Sequence, residues 1–492
     1  MSDTRRAERH ETSHLPHRRH RSLDPRSHRV RVPGPAAERI RHPPTSAPGP
    51  TPTVSPVPKP AQMRRTSWSA DPFARGSYSF AAVDSTPEQR TALAQPVLDR
   101  VFFAGEATST DAPGTVQGGR DSGLRAAREI IAVAKPGERI AVIGAGIAGL
   151  SAARILKDAG FDVVLVEARD RIGGRIDTVS DKKWPFPVEL GPSFVSHSGT
   201  TSLDEEFTRL GIATAPFPTA SETRTDAGIV VAVPDTGEKA VATALAWATN
   251  QASDMSVHGA LDGSGASTLS TTDAANGVSD ADWLAFRVAT VLDIDAGASI
   301  DQQSGWYTSA DAGANDERIV LGGYAGLLTK AAEGIDLLDS SVVTKLAYRD
   351  TGVSLRLGTG ESLSADRVIV TVPLGVLKSG VLEFDPALPF AHRGAIADIG
   401  MGTLDKVWLQ FDEPFWSTTA PLWTTVGGDE DFRVWINMMP LTGEPVLVGL
   451  VAGDTALRLA GVDDSTVLAA ALRGLTPFYV PPTPSPTPTP AG

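Results

Sequence analysis

The sequence predicts an α/β protein built on a parallel sheet, with a second, mixed α+β part. Two observations carry this prediction. Short apolar runs typical of buried strands alternate with segments of helical length, and a glycine-rich turn joins one such strand to the next helix. Parallel neighbours need long crossover connections, which helices of this length provide. The predicted strands are residues 101–103, 139–143 and 162–166, and the predicted helices are residues 118–134 and 147–159.

Composition limits the classes of function that the chain can have. Of its 492 residues 41% are hydrophobic, yet no run approaches the roughly 20 apolar residues of a membrane helix. Cysteine is absent, which excludes disulfides and thiolate metal sites. The net charge is -13 although residues 1–42 hold eleven arginines against five acids, so the remainder is strongly acidic and unsuited to nucleic acid. The N-terminus lacks the pattern of an export or organelle signal, which predicts a cytoplasmic protein.

The glycine-rich turn indicates a Rossmann-type dinucleotide site. Gly144, Gly146 and Gly149 follow the 139–143 strand and open the 147–159 helix, so backbone can approach a pyrophosphate at the positive helix N-terminus. Glu167 ends the next predicted strand, where an acid accepts hydrogen bonds from ribose hydroxyls. The motif alone is weak, but the strand, the helix and the acid together favour a nucleotide site over a structural turn.

A longer pattern continues beyond Glu167. Arg169 is followed by a second glycine pair that includes Gly174, and by Arg175, which can neutralise phosphates. With this extension, the segments GAGIAGLSAARIL, VVLVEARDRIGGRI and VELGPS resemble the flavin-containing amine oxidases, a family that includes monoamine and polyamine oxidases and the lysine-specific histone demethylase. The resemblance implies a glutathione-reductase-like FAD domain, an amine as substrate and O2 as electron acceptor.

The resemblance extends over most of residues 64–475 and implies further site residues. GGYAGLL, VIVTVPLGVLK, GMGTLDKVWLQFDEPFW, DPFARGSYS, VFFAGEATS and PGTVQGGRDSGLRAA are its remaining segments. It assigns Val343, Gly105 and Glu106 to the cofactor, and Tyr78 and Thr115 to two walls beside the flavin. Lys406 matches the lysine that holds a water against flavin N5 in relatives. By its period-2 spacing alone, Lys406 is instead an exposed strand lysine.

The motif order departs from that of the family. The GEATS segment at 105–109 precedes the turn at Gly144, whereas in relatives it closes the chain. A circular permutation explains this order, because residues 118–143 form an ordinary helix-to-strand connection and Pro-rich segments flank both cut ends. A slice through two tandem domains and a gene-model artefact are the alternatives. The expected layout is a basic, Pro-rich disordered head at 1–60, an FAD domain at 61–200 and 319–374, a substrate domain at 201–318 and 375–476, and a Pro-rich disordered tail at 477–492.

The expected activity is oxidation of a primary amine or polyamine, with O2 reduced to hydrogen peroxide. FAD should be held without a covalent bond, because Ser77 stands where monoamine oxidases carry the linking cysteine. Two other functions stay open. An amino-acid oxidase of the same fold would need an arginine that grips the substrate carboxylate, and the sequence nominates none. An inactive flavin-binding or interaction protein is the second. The oligomeric state is not predicted.

Overall fold

The computed structural model describes residues 55–196, 202–217, 220–309 and 317–481. The predicted head up to residue 54 and the tail from residue 482 lie outside the described residues. No helix within the four described stretches is long and apolar enough to cross a membrane.

Strands make up the larger number of elements. In chain order they are β1 Gln62–Arg65, β2 Tyr78–Phe80, β3 Val101–Phe103, β4 Arg139–Ile143, β5 Asp162–Val166, β6 Thr178–Val179, β7 Val188–Glu189, β8 Phe194–Ser196, β9 Thr214–Pro216, β10 Ser221–Thr225, β11 Val230–Val231, β12 Glu317–Val320, β13 Asp336–Leu338, β14 Val343–Arg349, β15 Gly352–Leu357, β16 Ser362–Ala365, β17 Arg367–Val370, β18 Glu383–Asp385, β19 Gly400–Gly402, β20 Leu404–Gln410, β21 Leu422–Val426, β22 Val434–Asn437 and β23 Val446–Ala452.

Helices connect these strands. They are α1 Pro87–Ala94, α2 Val116–Val133, α3 Ile147–Asp158, α4 Ser202–Leu210, α5 Thr236–Ala248, α6 Val257–Ser264, α7 Asp280–Arg287, α8 Asp293–Ala296, α9 Ala325–Ala332, α10 Leu374–Ser379, α11 Phe390–Asp398, α12 Met439–Thr442, α13 Gly453–Ala460 and α14 Asp464–Gly474. Short 3₁₀ turns at Glu106–Thr108 and Thr476–Phe478 and a π-helical turn at Val288–Leu292 complete the set.

A five-stranded parallel sheet carries the nucleotide motif. Its order is β13-β5-β4-β17-β3, and each neighbouring pair is parallel. The three predicted strands are confirmed as β3, β4 and β5, and the two predicted helices as α2 and α3. Apolar residues of β4, β5 and β17 are buried on both faces, as expected for strands covered by crossover helices. The α/β fold class is therefore confirmed.

A second, seven-stranded sheet forms the mixed part, in the order β1-β20-β23-β22-β21-β10-β11. Its strands pair antiparallel except for β10 and β21. β1 is an exception to the predicted layout, which assigned residue 61 onwards to the FAD domain. It pairs with β20 because Asp405 of β20 accepts hydrogen bonds from Thr66 Oγ1 (2.8 Å) and the Trp68 amide (2.9 Å).

Both predicted tails begin too far inside the chain. Val57, predicted to lie in the disordered head, is 5% exposed and packs in a core cluster with Phe411 and Phe415. Phe478, predicted to lie in the tail, is fully buried and stacks on Trp423 at 4.7 Å between ring centroids. In both places a buried apolar side chain and nearby hydrogen bonds attach a Pro-rich segment to the core.

The sequence of residues 250–280 predicts no helix or strand, because serine, glycine and aspartate dominate its composition. The structure has α6 there, begun by Ser256, whose hydroxyl accepts from the Gly259 amide (3.0 Å). The helix ends at Gly265, where φ is +77°. Polar capping residues thus delimit a helix that the composition conceals.

Candidate active site

One cavity of about 1280 Å³ collects the predicted site residues. It lies between the parallel sheet and the mixed sheet and is lined by residues of both. All of the predicted residues except Gly149 line it, namely Tyr78, Gly105, Glu106, Thr115, Gly144, Gly146, Glu167, Arg169, Gly174, Arg175, Val343 and Lys406. Segments that are hundreds of residues apart in the chain therefore meet at one site.

The nucleotide turn is formed by backbone. Gly144 has φ +102°, and a Cβ there would lie 2.6 Å from Thr371 Oγ1. Gly146 caps α3 without a side-chain hydrogen bond, so amides of the first helical turn are open to a ligand. Gly149 faces the turn instead of the cavity, because a Cβ there would lie 1.9 Å from the Gly144 carbonyl oxygen. Its role in the structure is close packing of α3 on the turn.

Glu167 is the acid at the end of β5 and is 5% exposed. Its Oε2 accepts from the Ala145 amide (2.6 Å) and its Oε1 from the Arg169 amide (2.9 Å). The carboxylate is thus oriented towards the glycine turn before any ligand binds. Each oxygen keeps further acceptor capacity for a hydroxyl group.

The two arginines of the extended motif are paired with acids from the segment 71–109. Arg169 donates to Asp71 Oδ1 (2.7 Å). Arg175 donates to Glu106 Oε1 and to the Ser77 carbonyl oxygen, both at 2.9 Å. These contacts join the segment that resembles the family's C-terminus to the segment that resembles its N-terminus.

Glu106 is the centre of a buried polar network beside Gly105, whose φ is +120°. Its Oε2 accepts from Ser79 Oγ (2.6 Å) and the Gly114 amide (2.8 Å). Burial opposes the charge of this carboxylate, but Arg175 and the Ser79 hydroxyl outweigh burial, so the pKa of Glu106 is lowered. The group is therefore ionised.

Arg90 is a site residue that sequence reasoning missed. It lies on α1, is 7% exposed, lines the cavity, and donates through Nη1 to Ser79 Oγ (2.7 Å) and the Ala107 carbonyl oxygen (3.2 Å). Burial lowers its pKa and Glu106 raises it. No signal in the sequence separates this arginine from an ordinary surface arginine of an amphipathic helix.

Tyr78 and Thr115 line the cavity as the resemblance implies, and each has a structural partner. The Tyr78 hydroxyl donates to the Ile294 carbonyl oxygen, and burial, with Asp295 as a second cause, raises the pKa of the phenol. Thr115 is the N-cap of α2: its hydroxyl accepts from the Gly118 amide (2.9 Å) and donates to the Ala112 carbonyl oxygen (2.9 Å). Both side chains are thereby fixed in orientation.

Residues between 286 and 309 also line the cavity and include an acid. Asp295 lines the cavity, and no side chain or amide of the described residues donates a hydrogen bond to it. The Asp295 residue is partly exposed to solvent, but partial burial of its carboxyl group raises the pKa of that group, and the charge of Arg287 opposes this effect. The sequence missed Asp295 because one acid in a helical stretch carries no spacing signal.

Lys406 is buried on β20, between β1 and β23 of the mixed sheet, with 6% of its surface exposed. Its Nζ donates to the Gly191 carbonyl oxygen and to Ser193 Oγ (2.7 Å), and it lies 5.9 Å from the centre of the Phe194 ring. Burial lowers the pKa of Lys406 from 10.5 to about 8, and Glu189 opposes this shift. The prediction from spacing alone, that Lys406 is exposed, is therefore wrong, because β20 is covered on both faces.

The chemical character of the cavity walls suits a flavin dinucleotide. At one end lie a turn without side chains, open helical amides and the Glu167 carboxylate, which suit a pyrophosphate and a ribose. At the other end lie Tyr78, Lys406 and apolar side chains, which suit an aromatic ring system. Fold and cavity together define the class: a Rossmann-type dinucleotide-binding oxidoreductase.

Sequence comparison identifies the family within this class. The profile of the flavin containing amine oxidoreductases matches residues 49–131 and 147–488, and the chain belongs to this family. A pyridine nucleotide-disulphide oxidoreductase profile matches residues 97–182. The protein is therefore an amine oxidoreductase, and its cofactor is FAD.

Individual relatives agree with this assignment. Polyamine oxidase 2 of Arabidopsis thaliana is 29% identical over 367 residues, which span 70% of this chain and 73% of the relative. Polyamine oxidase 4 of Oryza sativa subsp. japonica is 28% identical over 368 residues, with 70% and 74% covered. Among solved structures, the cyclohexylamine oxidase of Brevibacterium oxydans has a TM-score of 0.53 at 22% identity and covers 70% of this chain and 82% of that one, a likeness of fold.

Proposed function

We propose that the protein oxidises a primary amine or a polyamine and passes the electrons to O2, which yields hydrogen peroxide. The observation that supports this most directly is the single cavity, which joins a dinucleotide turn to a buried lysine and a tyrosine. Bound FAD supplies the redox chemistry, accepting a hydride equivalent from the amine carbon and delivering electrons to O2. The protein binds and orients both molecules and controls protons.

Cofactor binding falls to the residues at the glycine end. Open amides after Gly146 suit the pyrophosphate, and Glu167 suits the ribose hydroxyls. Arg169, Arg175, Gly105, Glu106, Gly174 and Val343 complete this part of the wall. Binding is non-covalent in this proposal: Ser77 Oγ donates to the Leu404 carbonyl oxygen and accepts from the Leu404 amide, both at 2.8 Å, and cysteine is absent from the chain.

We assign the control of protons to Lys406. Two of its ammonium hydrogens are used by Gly191 and Ser193, which leaves one donor for a water or a substrate atom in the cavity. With a pKa of about 8, this group changes charge close to neutral pH. An amine must lose its proton before it can be oxidised, so a nearby group that titrates in this range suits the reaction.

The walls favour an amine over an amino acid. None of the described residues donates a hydrogen bond to the Asp295 carboxyl group, so in its ionised form this group attracts an ammonium group and repels a carboxylate. Thr115, Tyr78 and apolar residues such as Phe286 surround the rest of this end. Four arginines line the cavity, and each has a partner within the protein: Arg169 and Arg175 are paired with acids, Arg90 donates to Ser79 and Ala107, and Arg75 donates to the Pro72 carbonyl oxygen.

Anaerobic mixing with matched substrates tests the proposed activity. Putrescine, spermidine, a monoamine of equal chain length and an amino acid are each added to the oxidised protein, and the visible absorbance of FAD is followed. We expect amines to bleach the absorbance and the amino acid to leave it unchanged. Bleaching by the amino acid alone would establish the amino-acid oxidase, and no bleaching by any of them would establish the inactive alternative. Acid precipitation of the same sample should release FAD into the supernatant.

We further propose that the chain is a circular permutation of the family's order. The two ends of the described chain support this, because Ser55 Oγ donates to the Leu472 carbonyl oxygen (2.8 Å) and contacts Thr476 Oγ1 at 3.1 Å. The FAD part is then residues 66–200 and 319–374, and the substrate part is residues 201–318 and 375–481 together with β1.

Restoring the family's order tests this proposal. A short Gly/Ser linker joins residue 481 to residue 55, and new termini open between residues 134 and 139. We expect the rearranged protein to bind FAD and to show the same visible spectrum and unfolding midpoint within a few degrees. Loss of FAD binding in a folded product would contradict the permutation.

A further inference from the structure

Glu189 is a buried acid that the reaction so far leaves unused. It lies on β7, is 1% exposed and does not line the cavity. Its Oε1 accepts from Thr178 Oγ1 (2.6 Å) and the Tyr324 amide (2.7 Å). Its Oε2 is buried and has no hydrogen-bond partner among the described residues. A buried carboxylate oxygen without a donor is costly, so burial favours the protonated acid, and the ionised form requires a nearby positive charge.

The same short segment connects Glu189 to Lys406. The Glu189 carbonyl oxygen accepts from Trp408 Nε1 (3.1 Å), and Gly191 and Ser193 supply the two acceptors of Lys406 Nζ. A Cβ on Gly191 would lie 1.9 Å from the Arg175 carbonyl oxygen, so the segment is packed too closely to shift. The segment that carries Glu189 is therefore fixed against β20 by the same contacts that hold Lys406 Nζ.

Electrostatics couples the two groups. Glu189 raises the pKa of Lys406 against the larger effect of burial. Burial raises the pKa of Glu189, and the hydrogen bonds from Thr178 and Tyr324 and then the charge of Lys406 oppose this shift. The other charges nearby are engaged elsewhere: Asp405 accepts from Thr66 and Trp68 on the opposite face of β20, and Arg175 is paired with Glu106.

We propose that Glu189 is a positioning residue that sets the charge of Lys406 from outside the cavity. The inference rests on the proposed role of Lys406. In its ionised form Glu189 favours the protonated form of Lys406 and so opposes the effect of burial on the lysine. The acid touches neither substrate nor cofactor and acts only through the lysine.

Titration of the FAD-loaded protein tests this inference. The visible spectrum of oxidised FAD and the rate of anaerobic reduction are measured against pH in the wild type, Glu189→Gln and Lys406→Met. We expect a wild-type inflection near pH 8 in both measurements. In Glu189→Gln the inflection should move to lower pH by about one unit, as expected for loss of a unit charge several ångströms away. In Lys406→Met it should disappear.

Two further variants separate charge from structure. Asp405→Asn removes a buried carboxylate from the opposite face of the same strand, and we expect it to leave the inflection in place. Glu189→Asp keeps the charge, and its inflection should stay close to that of the wild type. If Glu189→Gln does not fold, Glu189→Asp is the informative variant. A shift of the inflection as large as one pH unit in Glu189→Asp would then overturn the inference.

The failures are distinguishable. An inflection that disappears in Lys406→Met but does not move in Glu189→Gln overturns the role of Glu189 alone. An inflection that persists in Lys406→Met shows that another group titrates, which removes Lys406 from the proposed function as well.

Discussion

The two ends of the cavity differ in how their charges are compensated. At the glycine end, Glu167 accepts two backbone amides, and Arg175 is paired with Glu106 at 2.9 Å. At the lysine end, Lys406 has only neutral hydrogen-bond acceptors and Asp295 has no donor among the described residues. At the glycine end the charged groups are therefore fixed by partners within the protein. The pKa of Glu106 is shifted in favour of its charged form, whereas at the lysine end the pKa values of Lys406 and Asp295 are shifted in favour of the neutral forms. Shifts of the second kind are typical of the place where chemistry occurs.

The largest effect that would test this contrast is expected from Lys406→Met. Methionine keeps the length and the apolar stem and removes the charge and the donors, so FAD should stay bound. We expect flavin reduction or reoxidation to slow by about 10²–10⁴-fold, as for a positioned proton-handling group. Stopped-flow mixing, first with amine and then with O2, measures the two steps separately. Rates within threefold of the wild type in both steps would show that the lysine end lacks the proposed proton chemistry.

Glu167→Ala should affect the other end and leave the lysine end intact. Loss of a charge-assisted hydrogen bond costs roughly 1.5–3 kcal/mol, so FAD affinity should fall tenfold or more. Titration of the FAD-free protein with FAD measures the affinity. Glu138→Ala, which removes a partner of Arg367 away from the cavity, is the control. Equal losses of affinity in both variants would mean that Glu167 acts through general stability.

Asp293→Asn tests what a buried carboxyl group costs directly beside the lysine end, because Asp293 precedes the cavity residues Ile294 and Asp295 and its Oδ1 is buried without a hydrogen-bond partner among the described residues. Burial, then Asp454 and Asp301, raise the pKa of Asp293 from 3.8 to about 7. The folded protein therefore binds this proton more tightly than the unfolded chain, so the free energy of unfolding falls as pH rises from about 4 to about 7. We expect the variant to lack this decline and to gain about 1–3 kcal/mol at pH 8. Denaturant unfolding across this range measures it, and a wild-type-to-variant difference that does not change with pH would contradict the assignment.

Sequence reasoning succeeded where the signal is local. The turn at Gly144–Gly149, α3 and β5 lie within a short stretch, and each follows from glycine spacing and apolar periodicity. The burial of Lys406 could not be read from its spacing, since alternation reports one covered face and β20 is covered on two. No spacing rule identifies Arg90, Glu189 and Asp295, because their neighbours come from other segments of the chain. The anchoring of Val57 and Phe478 was concealed by the prolines around them.

The pairing of β1 with β20 also determines the order of events during synthesis. The Lys406 amide donates to Thr66 Oγ1 across a sequence separation of 340 residues. At about 5–20 residues per second, the ribosome needs roughly 15–70 s to produce the second partner after the first. During that interval β1 has no neighbouring strand and Trp68 lacks Asp405, so the mixed sheet is completed only near the end of translation.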